Sequence, residues 1–447
     1  MDTKRNQTLE EIEENKIVNE HYQNRVMLIK KLLKTSRLAT VDLCVHIDIS
    51  EASYYRYINF TSYMKADIFI HACLFLKQYI ESHHIPYTQE EKRLIKTLTD
   101  NLFVPILCDA IRMAGINVRY SQKEFWESDT TYDIIHFQWP EELVGWTCKD
   151  PDVIRRLKER IDFFRSRGTH FIYTRHNIHP HYANDIISRV YDIIESESDT
   201  VVHMGHYSQT EFIQKYPDSR NVIIPYHIYQ YTYKEDISIE RARQYLNLPQ
   251  EAFVVTAFGK FRNREERRML LGAFRDWDKE RKLLIAPRLC PFSRRNNYGG
   301  NILKRWASRI GYYVLMPLLN RMFRLQAGAN DEPIDECDLP YYMSASDVIF
   351  IQERNALNSV NIPLAFLFHK IVVGPNTGNI GELLKNTGNP TFNPNHKADI
   401  IRALKMAWQL STWGKGEMNY TYALENMSID KVGKQYAEVY RDLNSRL

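Results

Sequence analysis

The segment from Tyr341 to Asn389 constrains the fold of this 447-residue chain more than any other part, because it repeats one structural rhythm. An apolar, β-branched run of strand length at Asp347 to Gln352 is followed by a polar loop and then by helical spacing from Asn361 to His369. A second apolar strand at Lys370 to Pro375 leads into a glycine-containing loop and another helix. Strands alternating with helices predict a parallel sheet covered by helices.

Two polar loops follow the predicted strands directly, at Glu353 to Ser359 and at Gly378 to Gly381. Ligands on parallel sheets bind at the carboxyl ends of the strands. Helix amino termini at that edge offer free N–H groups and partial positive charge to an anion. The C-terminal half of the chain is therefore predicted to contain a phosphate-binding site.

A succession of short motifs runs through the same segment. In order, they are an aspartate opening a strand, a serine at a helix start, an LA-x-x-F helix, a VV-x-P strand, and a glycine loop leading to a glutamate. The residues at these places are Asp347, Ser359, Leu364, Ala365, Phe368, Val372, Val373, Pro375, Gly378 and Glu382. The succession resembles the donor-binding half of a GT-B glycosyltransferase of the retaining family-four type. Val360 stands where that family has a glycine.

The resemblance implies a donor site for a nucleoside diphosphate sugar. In the family, the serine-bearing helix start holds the diphosphate and the glutamate binds the ribose hydroxyls. By this resemblance Asn358 and Ser359 lie near the diphosphate, Glu382 lies near the ribose, and Asn379 belongs to the same site. A glutamate that the family has earlier in the loop is matched only by Glu353, and that match is weak.

A strand, a turn and a helix at Glu251 to Phe274 extend the resemblance. The family has an arginine and a lysine in this turn, and both neutralise the donor diphosphate. Arg262 matches the arginine, whereas the lysine position is Glu265, so that Lys260 or Arg264 would supply the second charge. The resemblance assigns this turn, including Gly259, to the donor site. In the alternative interpretation, these cations lie at a solvated helix start and bind no phosphate.

The N-terminal half is expected to contain a second α/β domain, because four more strands end in polar or aromatic loops. They lie within Thr131–Trp139, Thr169–Pro180, Asp199–Ser208 and Asn221–Tyr226. Two of these loops resemble the family's acceptor side. The matching residues are His136, Trp139, His176, Asn177 and His181. A metal site is disfavoured, because no carboxylate or cysteine accompanies the histidines at ligand spacing.

The resemblance implies transfer of a sugar, with retention, to a glycan, lipid-linked or protein acceptor in polysaccharide or glycoconjugate synthesis. His176 and Arg262 are the expected catalytic residues, with a satisfied structural histidine as the alternative for His176. The family works without a bound metal or cofactor, so cations and helix dipoles would stabilise the leaving nucleotide. An inverting reaction would need a base, and His176 or Asp109 would be the first candidates.

Residues 292–326 carry seven Lys or Arg side chains, large apolar residues between them, and no acidic residue. A basic amphipathic helix of this kind fits the surface of an anionic membrane. A helical insertion packed on the domain and an oligomer contact are the other two interpretations. No uninterrupted apolar stretch is long enough to span a bilayer. We expect a cytoplasmic protein, with peripheral contact to the inner face of the membrane left open.

The first ninety residues read as short helices, and Leu38 to Asn59 resembles a repressor-type helix-turn-helix with Ser50 as N-cap. Its second helix offers only Arg56 as a cation, which disfavours nucleic acid and favours a docking or homo-oligomer module. One rival hypothesis is a non-catalytic regulator that senses a nucleotide sugar or binds DNA through this segment. The other is a GT-B-shaped phosphorylase or epimerase, which would need inorganic phosphate or a free nucleotide sugar but no acceptor.

The predicted fold is thus α/β, with two Rossmann-like domains of the GT-B type preceded by a small all-α domain. The predicted boundaries are 1–92 for the helical module, 93–240 and 241–425 for the Rossmann-like domains, and 426–447 for a helix returning to the first of these. The basic insertion lies inside the third range. Six scattered cysteines with no C-x-x-C pair indicate neither disulfides nor zinc.

Overall fold

The computed structural model describes residues 25–59, 64, 66–86, 102–233, 235–290, 292, 302–323, 325–329, 334 and 338–445. The chain divides into two compact units. One comprises Met1–Tyr120 with Gln230–Lys234, and the other comprises Ser121–Tyr229 with Glu235–Leu447. This division falls at residue 120, whereas the sequence placed the end of the N-terminal module at residue 92.

The described part of the first unit is helical. Residues 25–36 form a helix, and the helices after it are α1 (Thr40–His46), α2 (Glu51–Ile58), α3 (Ala66–Ser82) and α4 (Phe103–Met113). Ser50 caps α2 through a hydrogen bond from the Ser53 N–H to its hydroxyl. Asp48 takes a left-handed conformation (φ 53°) in the turn between α1 and α2, which Asp tolerates better than most residues. The resemblance to a helix-turn-helix module stays a prediction.

The second unit begins with a lobe built on a four-stranded parallel sheet of order β1-β2-β3-β4. We refer to residues 121–229 as the first lobe. Its elements are α5 (Gln122–Glu127), β1 (Ile134–Phe137), α6 (Pro140–Val144), α7 (Asp152–Arg165), β2 (His170–Thr174), α8 (Asp185–Glu197), β3 (Thr200–His203), α9 (His206–Lys215) and β4 (Asn221–Ile223). All four strands lie within the ranges predicted for them.

The second lobe, residues 235–427, is built on a six-stranded parallel sheet of order β10-β9-β8-β5-β6-β7. Its elements are α10 (Ile239–Tyr245), β5 (Phe253–Thr256), α11 (Arg264–Asp276), β6 (Lys282–Cys290), α12 (Ile302–Ile310), a π-helical turn (Gly311–Leu315), α13 (Met316–Phe323), β7 (Leu325–Ala329), α14 (Leu339–Ala345), β8 (Val348–Phe350), α15 (Asn361–Leu367), β9 (Ile371–Pro375), α16 (Gly378–Asn386), β10 (Thr391–Phe392), α17 (Lys397–Ser411) and α18 (Lys415–Met427). The two strand–loop–helix repeats of the sequence are confirmed as β8–α15 and β9–α16.

Strands β5, β8 and β9 consist almost entirely of apolar residues because helices cover both faces of the sheet. Every residue of β5, β8 and β9 is buried. One face packs against α11 and α17 through Leu270, Phe274 and Leu404. The opposite face is covered by α10, whose Ala242 packs with Val254 and Ile285. This helix precedes β5 and belongs to the second lobe, so the predicted boundary at residue 240 falls inside it.

Asp347 fixes the start of β8 to its neighbours. Its Oδ2 atom accepts a hydrogen bond from the Val254 N–H at 2.7 Å, which joins β8 to β5. The same atom accepts from the buried Arg243 guanidinium of α10 at 2.8 Å. Arg243 also donates to the carbonyl of Ala345 at 3.2 Å and to the carbonyl of Gln250. One carboxylate therefore links two strands and a helix.

A last helix, α19 (Ile429–Asn444), packs on the first lobe although it follows the second lobe in the chain. The Tyr440 hydroxyl lies 2.6 Å from His136 Nδ1 of β1, and the Tyr436 hydroxyl lies 3.2 Å from Thr174 Oγ1 of β2. Asp442 accepts from Arg220 just before β4. The helix thus contacts residues of three parts of the first sheet.

A continuous helical run precedes the edge strand β7 and is formed by α12, the π-helical turn and α13. We name residues 302–323 the basic helix. The π-type step is the hydrogen bond from the Met316 N–H to the Gly311 carbonyl. Arg294, Arg295 and Arg324 of the predicted basic segment lie outside the described residues, as does the chain before residue 25.

Replacement of Asp347 by Ala is expected to lower the free energy of unfolding by about 3 kcal/mol, because it leaves the buried Arg243 guanidinium without its counter-charge. The measurement is the urea midpoint of the full chain. Asp218→Ala, at an exposed surface position, is the matched control and should leave the midpoint nearly unchanged. Equal midpoints for the two variants would refute the structural role given to Asp347.

Candidate functional site

The carboxyl ends of β5 and β8 lie side by side, because these two strands pair in the sheet. Gly259 follows β5 and Gln352 follows β8. A Cβ atom at Gly259 would fall 1.7 Å from Gln352 Nε2, so only glycine leaves room for this amide. Gln352 is buried, and neither its Oε1 nor its Nε2 has a hydrogen-bond partner among the described residues. Buried polar groups are normally satisfied, so this unpartnered amide is a candidate for hydrogen bonds to a ligand.

The next two residues share this property. Glu353 Oε2 and Arg354 Nε are buried and have no hydrogen-bond partner in the described part of the chain. Burial raises the pKa of Glu353, although the nearby Arg262 acts to lower it. The guanidinium of Arg354 is held by Glu265 and Asn395. We name Gln352, Glu353 and Arg354 the unpartnered cluster.

Three cations occupy the turn after β5. The side chains of Lys260, Arg262 and Arg264 are exposed and form no ion pair with any residue that the structure describes. The turn itself is fixed, because the buried Glu266 accepts a 2.7 Å hydrogen bond from the Arg262 N–H and Asn263 caps α11. Glu265, at the position where the resembling family has a lysine, holds Arg354 instead. The predicted donor turn therefore borders the unpartnered cluster with positive charge.

Ser359 lies directly before the helix that the sequence predicts from Asn361. Helix α15 begins at Asn361 with Val360 as its N-cap, and no side chain caps it. Ser359 is buried one residue earlier, and its carbonyl accepts from the Ile362 N–H at 3.2 Å. Pro363 occupies the first turn and has no N–H to offer.

Asn358 and Asn379 form hydrogen bonds to the first lobe. Asn358 Nδ2 donates to the carbonyl of His176 at 2.8 Å. Asn379 Nδ2 donates to Asn358 Oδ1 at 2.8 Å, and Asn379 Oδ1 accepts from the Ser208 N–H at 3.0 Å. These two predicted donor-site residues are thus engaged between the lobes in this structure.

Glu382 makes the same kind of contact. Its Oε1 accepts from the His206 N–H at 2.9 Å and its Oε2 accepts from the Tyr207 N–H at 2.7 Å. The carboxylate therefore caps α9, where the helix dipole favours a negative charge. Each carboxylate oxygen retains a further lone pair, so a hydroxyl group could still bind.

His176 is buried and neutral. Its Nε2 donates to Gln138 Oε1 at 2.8 Å, its Nδ1 lies 3.1 Å from the Tyr226 hydroxyl, and its ring stacks on Trp139 at 3.8 Å. Burial holds its pKa well below the ordinary value. Both ring nitrogens have partners in this structure, as expected for the alternative in which His176 is a satisfied structural histidine. Asp109, the other candidate base, lies in the first unit and pairs with Arg112 at 3.0 Å.

His136 also has both ring nitrogens engaged. Its Nδ1 contacts the Tyr440 hydroxyl of α19, and its Nε2 lies 2.7 Å from Thr174 Oγ1. Gln138 Nε2 donates to the same Nε2 at 3.2 Å, which assigns the proton to Nδ1. Burial lowers the pKa of His136 to about 3. Its observed contacts join β1 to α19.

Asn177 and His181 lie together beside a buried acid. His181 Nδ1 is 2.8 Å from Oε1 of the fully buried Glu141, and Tyr191 donates to the other oxygen. Burial acts to raise the pKa of Glu141, but the hydrogen bonds from His181 and Tyr191 outweigh it and lower the pKa. Asn177 Nδ2 is 3.4 Å from the same His181 nitrogen. His181 is partly exposed and remains able to meet a ligand from solvent.

The described residues contain no group of three or more His, Cys, Asp or Glu side chains arranged to hold a metal ion. Cys337 lies outside them. Within the same described ranges, no helix has both the length and the apolar character needed to cross a bilayer.

Comparison with known proteins identifies the fold. No protein-family model matches the sequence, and no curated protein sequence matches it. Solved structures do match. Sucrose-phosphate synthase from Thermosynechococcus elongatus is 16% identical, with 78% of this chain and 94% of that chain covered and a TM-score of 0.54. HepE from Anabaena in complex with UDP-glucose is 16% identical, with coverages of 82% and 89% and a TM-score of 0.50. α,α-Trehalose 6-phosphate synthase from Burkholderia multivorans is 12% identical, with coverages of 84% and 79% and a TM-score of 0.50.

These neighbours are GT-B glycosyltransferases, and the two parallel sheets described above form the same fold. The predicted α/β class with two Rossmann-like lobes of the GT-B type is confirmed. The fold places the carboxyl ends of β5 and β8, and hence the unpartnered cluster, at the edge where parallel sheets bind ligands.

The buried histidines predict a pH dependence of stability. Between pH 6.5 and pH 4 the unfolded chain takes up a proton at His136, whereas the folded chain does not, because its pKa is about 3. Stability therefore falls as the pH falls through this window. His136→Gln should make the urea midpoint less dependent on pH there, and exposed His396→Gln should not. Identical slopes for His136→Gln and the wild type would contradict the assignment.

Glu382→Ala separates two roles for this carboxylate. As a cap of α9, Glu382 should contribute about 1–2 kcal/mol, so the variant should melt at a lower temperature without any ligand. If the carboxylate also binds the ribose, the variant loses the stabilisation by added nucleotide as well. A variant that melts like the wild type would refute the capping role.

Proposed function

We propose that this chain is a glycosyltransferase that takes its sugar from a nucleoside diphosphate sugar bound on the second lobe. The observation that carries the proposal is the unpartnered cluster beside the cationic turn, at the ligand-binding edge of a GT-B sheet. A donor of this class brings the groups that the site lacks: hydroxyls for an amide and a carboxyl, and a diphosphate for exposed guanidinium groups. HepE, which has this fold, was solved with UDP-glucose.

In this proposal the cationic turn binds the diphosphate. Arg262 and its neighbours Lys260 and Arg264 neutralise the charge that grows on the leaving nucleotide as the glycosidic bond breaks. The amino terminus of α16 offers further backbone N–H groups close to the loop after β8. Gly378 allows this approach, because a Cβ atom there would fall 2.8 Å from the Leu357 carbonyl oxygen. Cations and backbone dipoles then fill the role that a metal ion has elsewhere.

The unpartnered cluster binds the hydroxyl groups of the donor in this proposal. Gln352 can donate through Nε2 and accept through Oε1, and Glu353 accepts through its free oxygen. Gly259 preserves this arrangement by leaving the space that Gln352 occupies. These residues were not among the candidates from the sequence, apart from Gly259 and the weak match of Glu353.

Retention follows the resemblance to family-four enzymes, in which attack occurs on the face that the nucleotide leaves. Such a reaction needs no dedicated protein base, in keeping with the engagement of both nitrogens of His176. The acceptor is a glycan, a lipid-linked glycan or a protein. The first lobe presents His181 and Asn177 as partly exposed polar groups that could contact it.

Thermal shift tests the donor site directly, because a ligand that binds the folded state raises the melting temperature. UDP, GDP, ADP, CMP and their sugar conjugates are compared. We expect one nucleotide to stabilise the wild type. Arg262→Ala should weaken its binding about tenfold or more, the loss typical of a charge-assisted hydrogen bond. Arg268→Ala, an exposed arginine of α11, is the matched control and should bind normally.

Two further variants locate the sugar. Gly259→Ala and Gln352→Ala should reduce stabilisation by the nucleotide sugar more than stabilisation by the bare nucleotide. Release of labelled sugar from the donor, with and without added acceptor glycans, then tests for transfer. Absence of stabilisation by every nucleotide would overturn the proposal and would leave only the DNA-binding form of the regulator hypothesis.

A further inference from the structure

The basic helix exposes an apolar stripe that its packing on the second lobe does not use. Leu303, Trp306, Ile310, Val314 and Leu318 follow one another at three- and four-residue intervals, which places them along one helix face. Leu303 is 82% exposed and Trp306 is 62% exposed, and the other three are at least half exposed. Such a row of large apolar side chains in water marks an interaction surface.

A different and narrower face anchors the basic helix to its own lobe. Ser308 and Gly311 are buried, and Met316 packs against the core of the second lobe. A Cβ atom at Gly311 would fall 2.2 Å from the ring of Phe292, so the helix approaches this ring closely. Asn320 accepts from the Ala327 N–H at 3.0 Å and donates to the Ala327 carbonyl at 3.3 Å. The stripe is therefore held outward on a fixed helix.

All charged residues of the basic helix are cations. Lys304, Arg305, Arg309 and Arg321 accompany the stripe, and no acidic residue occurs between 292 and 326. Trp306 and Tyr313, both exposed, are residues that favour the interface between lipid and water. A second copy of this chain is a poor occupant, because a twofold contact would bring the same cations together. An anionic bilayer surface satisfies both the apolar and the charged groups.

We propose that the basic helix docks the protein on the surface of an anionic membrane, with the apolar stripe in the headgroup region and the cations against lipid phosphates. At 1.5 Å per residue the helix extends about 33 Å, so it lies along the surface rather than across it. The contact uses no residue of the proposed donor site. It would confine the transferase to a surface, where a lipid-linked acceptor resides.

Vesicle co-sedimentation of the full chain tests the proposal. We expect binding to phosphatidylcholine vesicles that contain phosphatidylserine, little binding to phosphatidylcholine alone, and release as salt is raised. Leu303→Glu combined with Trp306→Glu should lower the partition coefficient at least about tenfold. Lys304→Gln and Arg309→Gln should each lower it about fivefold. Trp413→Glu is the matched control, since Trp413 is exposed but lies outside the basic helix, and it should bind as the wild type does.

Two outcomes would overturn the membrane contact. One is absence of wild-type binding to either vesicle, and the other is binding that the stripe variants retain. Light scattering tests the other possible occupant, a second copy of this chain. If the wild type is a dimer that does not bind vesicles, and Trp306→Glu dissociates this dimer, the stripe is a contact between two copies. The nucleotide thermal shift is recorded on the same variants and should be unchanged. A missing shift in all proteins counts against the transferase proposal and leaves the docking result standing.

Discussion

The first backbone N–H groups of α9 need acceptors that their own helix cannot supply, and the acceptors come from the other lobe. Glu382 and Asn379 of α16 receive the hydrogen bonds of His206, Tyr207 and Ser208. Gly205 makes this approach feasible, because a Cβ atom there would lie 2.8 Å from Asn379 Oδ1. The amino terminus of α9 is therefore one of the places where the two lobes are joined in this structure.

This junction involves the residues of the second lobe that match the donor-site positions of the resembling family. Asn358, Asn379 and Glu382 stand where the resemblance expects ligand contacts, yet each bonds to the first lobe. The unpartnered cluster lies in the same loop as Asn358, directly after β8, and its buried polar atoms have no partner among the described residues. A cleft enzyme can use the same residues in two ways, since a carboxylate that caps a helix in one arrangement of the lobes can bind a hydroxyl group in another. The junction and the proposed donor site would then share these residues.

The sequence predicted the sheet well because the relevant signals are local. The apolar runs at β8 and β9 depend on neighbours in the chain, and both appear in the structure. The residues Gly378–Gly381, predicted as a loop before a helix, instead form the first turn of α16. The roles of side chains were harder to predict. The partners of Glu382 lie 175 and 176 residues away, and His176 is satisfied by residues from β1's loop and from beyond β4. The helix after Ser359 begins at Asn361, as the spacing of the sequence predicts, and Pro363 fits its first turn.

For the unpartnered cluster, too, the sequence predicted the position in the fold but not the roles of the side chains. Its position after a buried strand was readable from the pattern, and the sequence placed a ligand loop there. Gln352, however, was read as the last residue of the strand. Only the structure shows that a side chain at Gly259 would collide with the amide of Gln352. The role of Glu265 could not be predicted from the sequence either. It stands where the resembling family has a lysine, and only the structure shows that it pairs with Arg354.

The attachment of α19 to the first lobe has a consequence for biosynthesis. Tyr436 and Tyr440 complete contacts with Thr174 and His136, residues that leave the ribosome long before them. The first lobe must therefore wait, with part of its sheet uncovered, while the whole second lobe is translated. Order of synthesis and order of completion are reversed for this lobe, and the nascent chain exposes an apolar surface during the interval in which chaperones act.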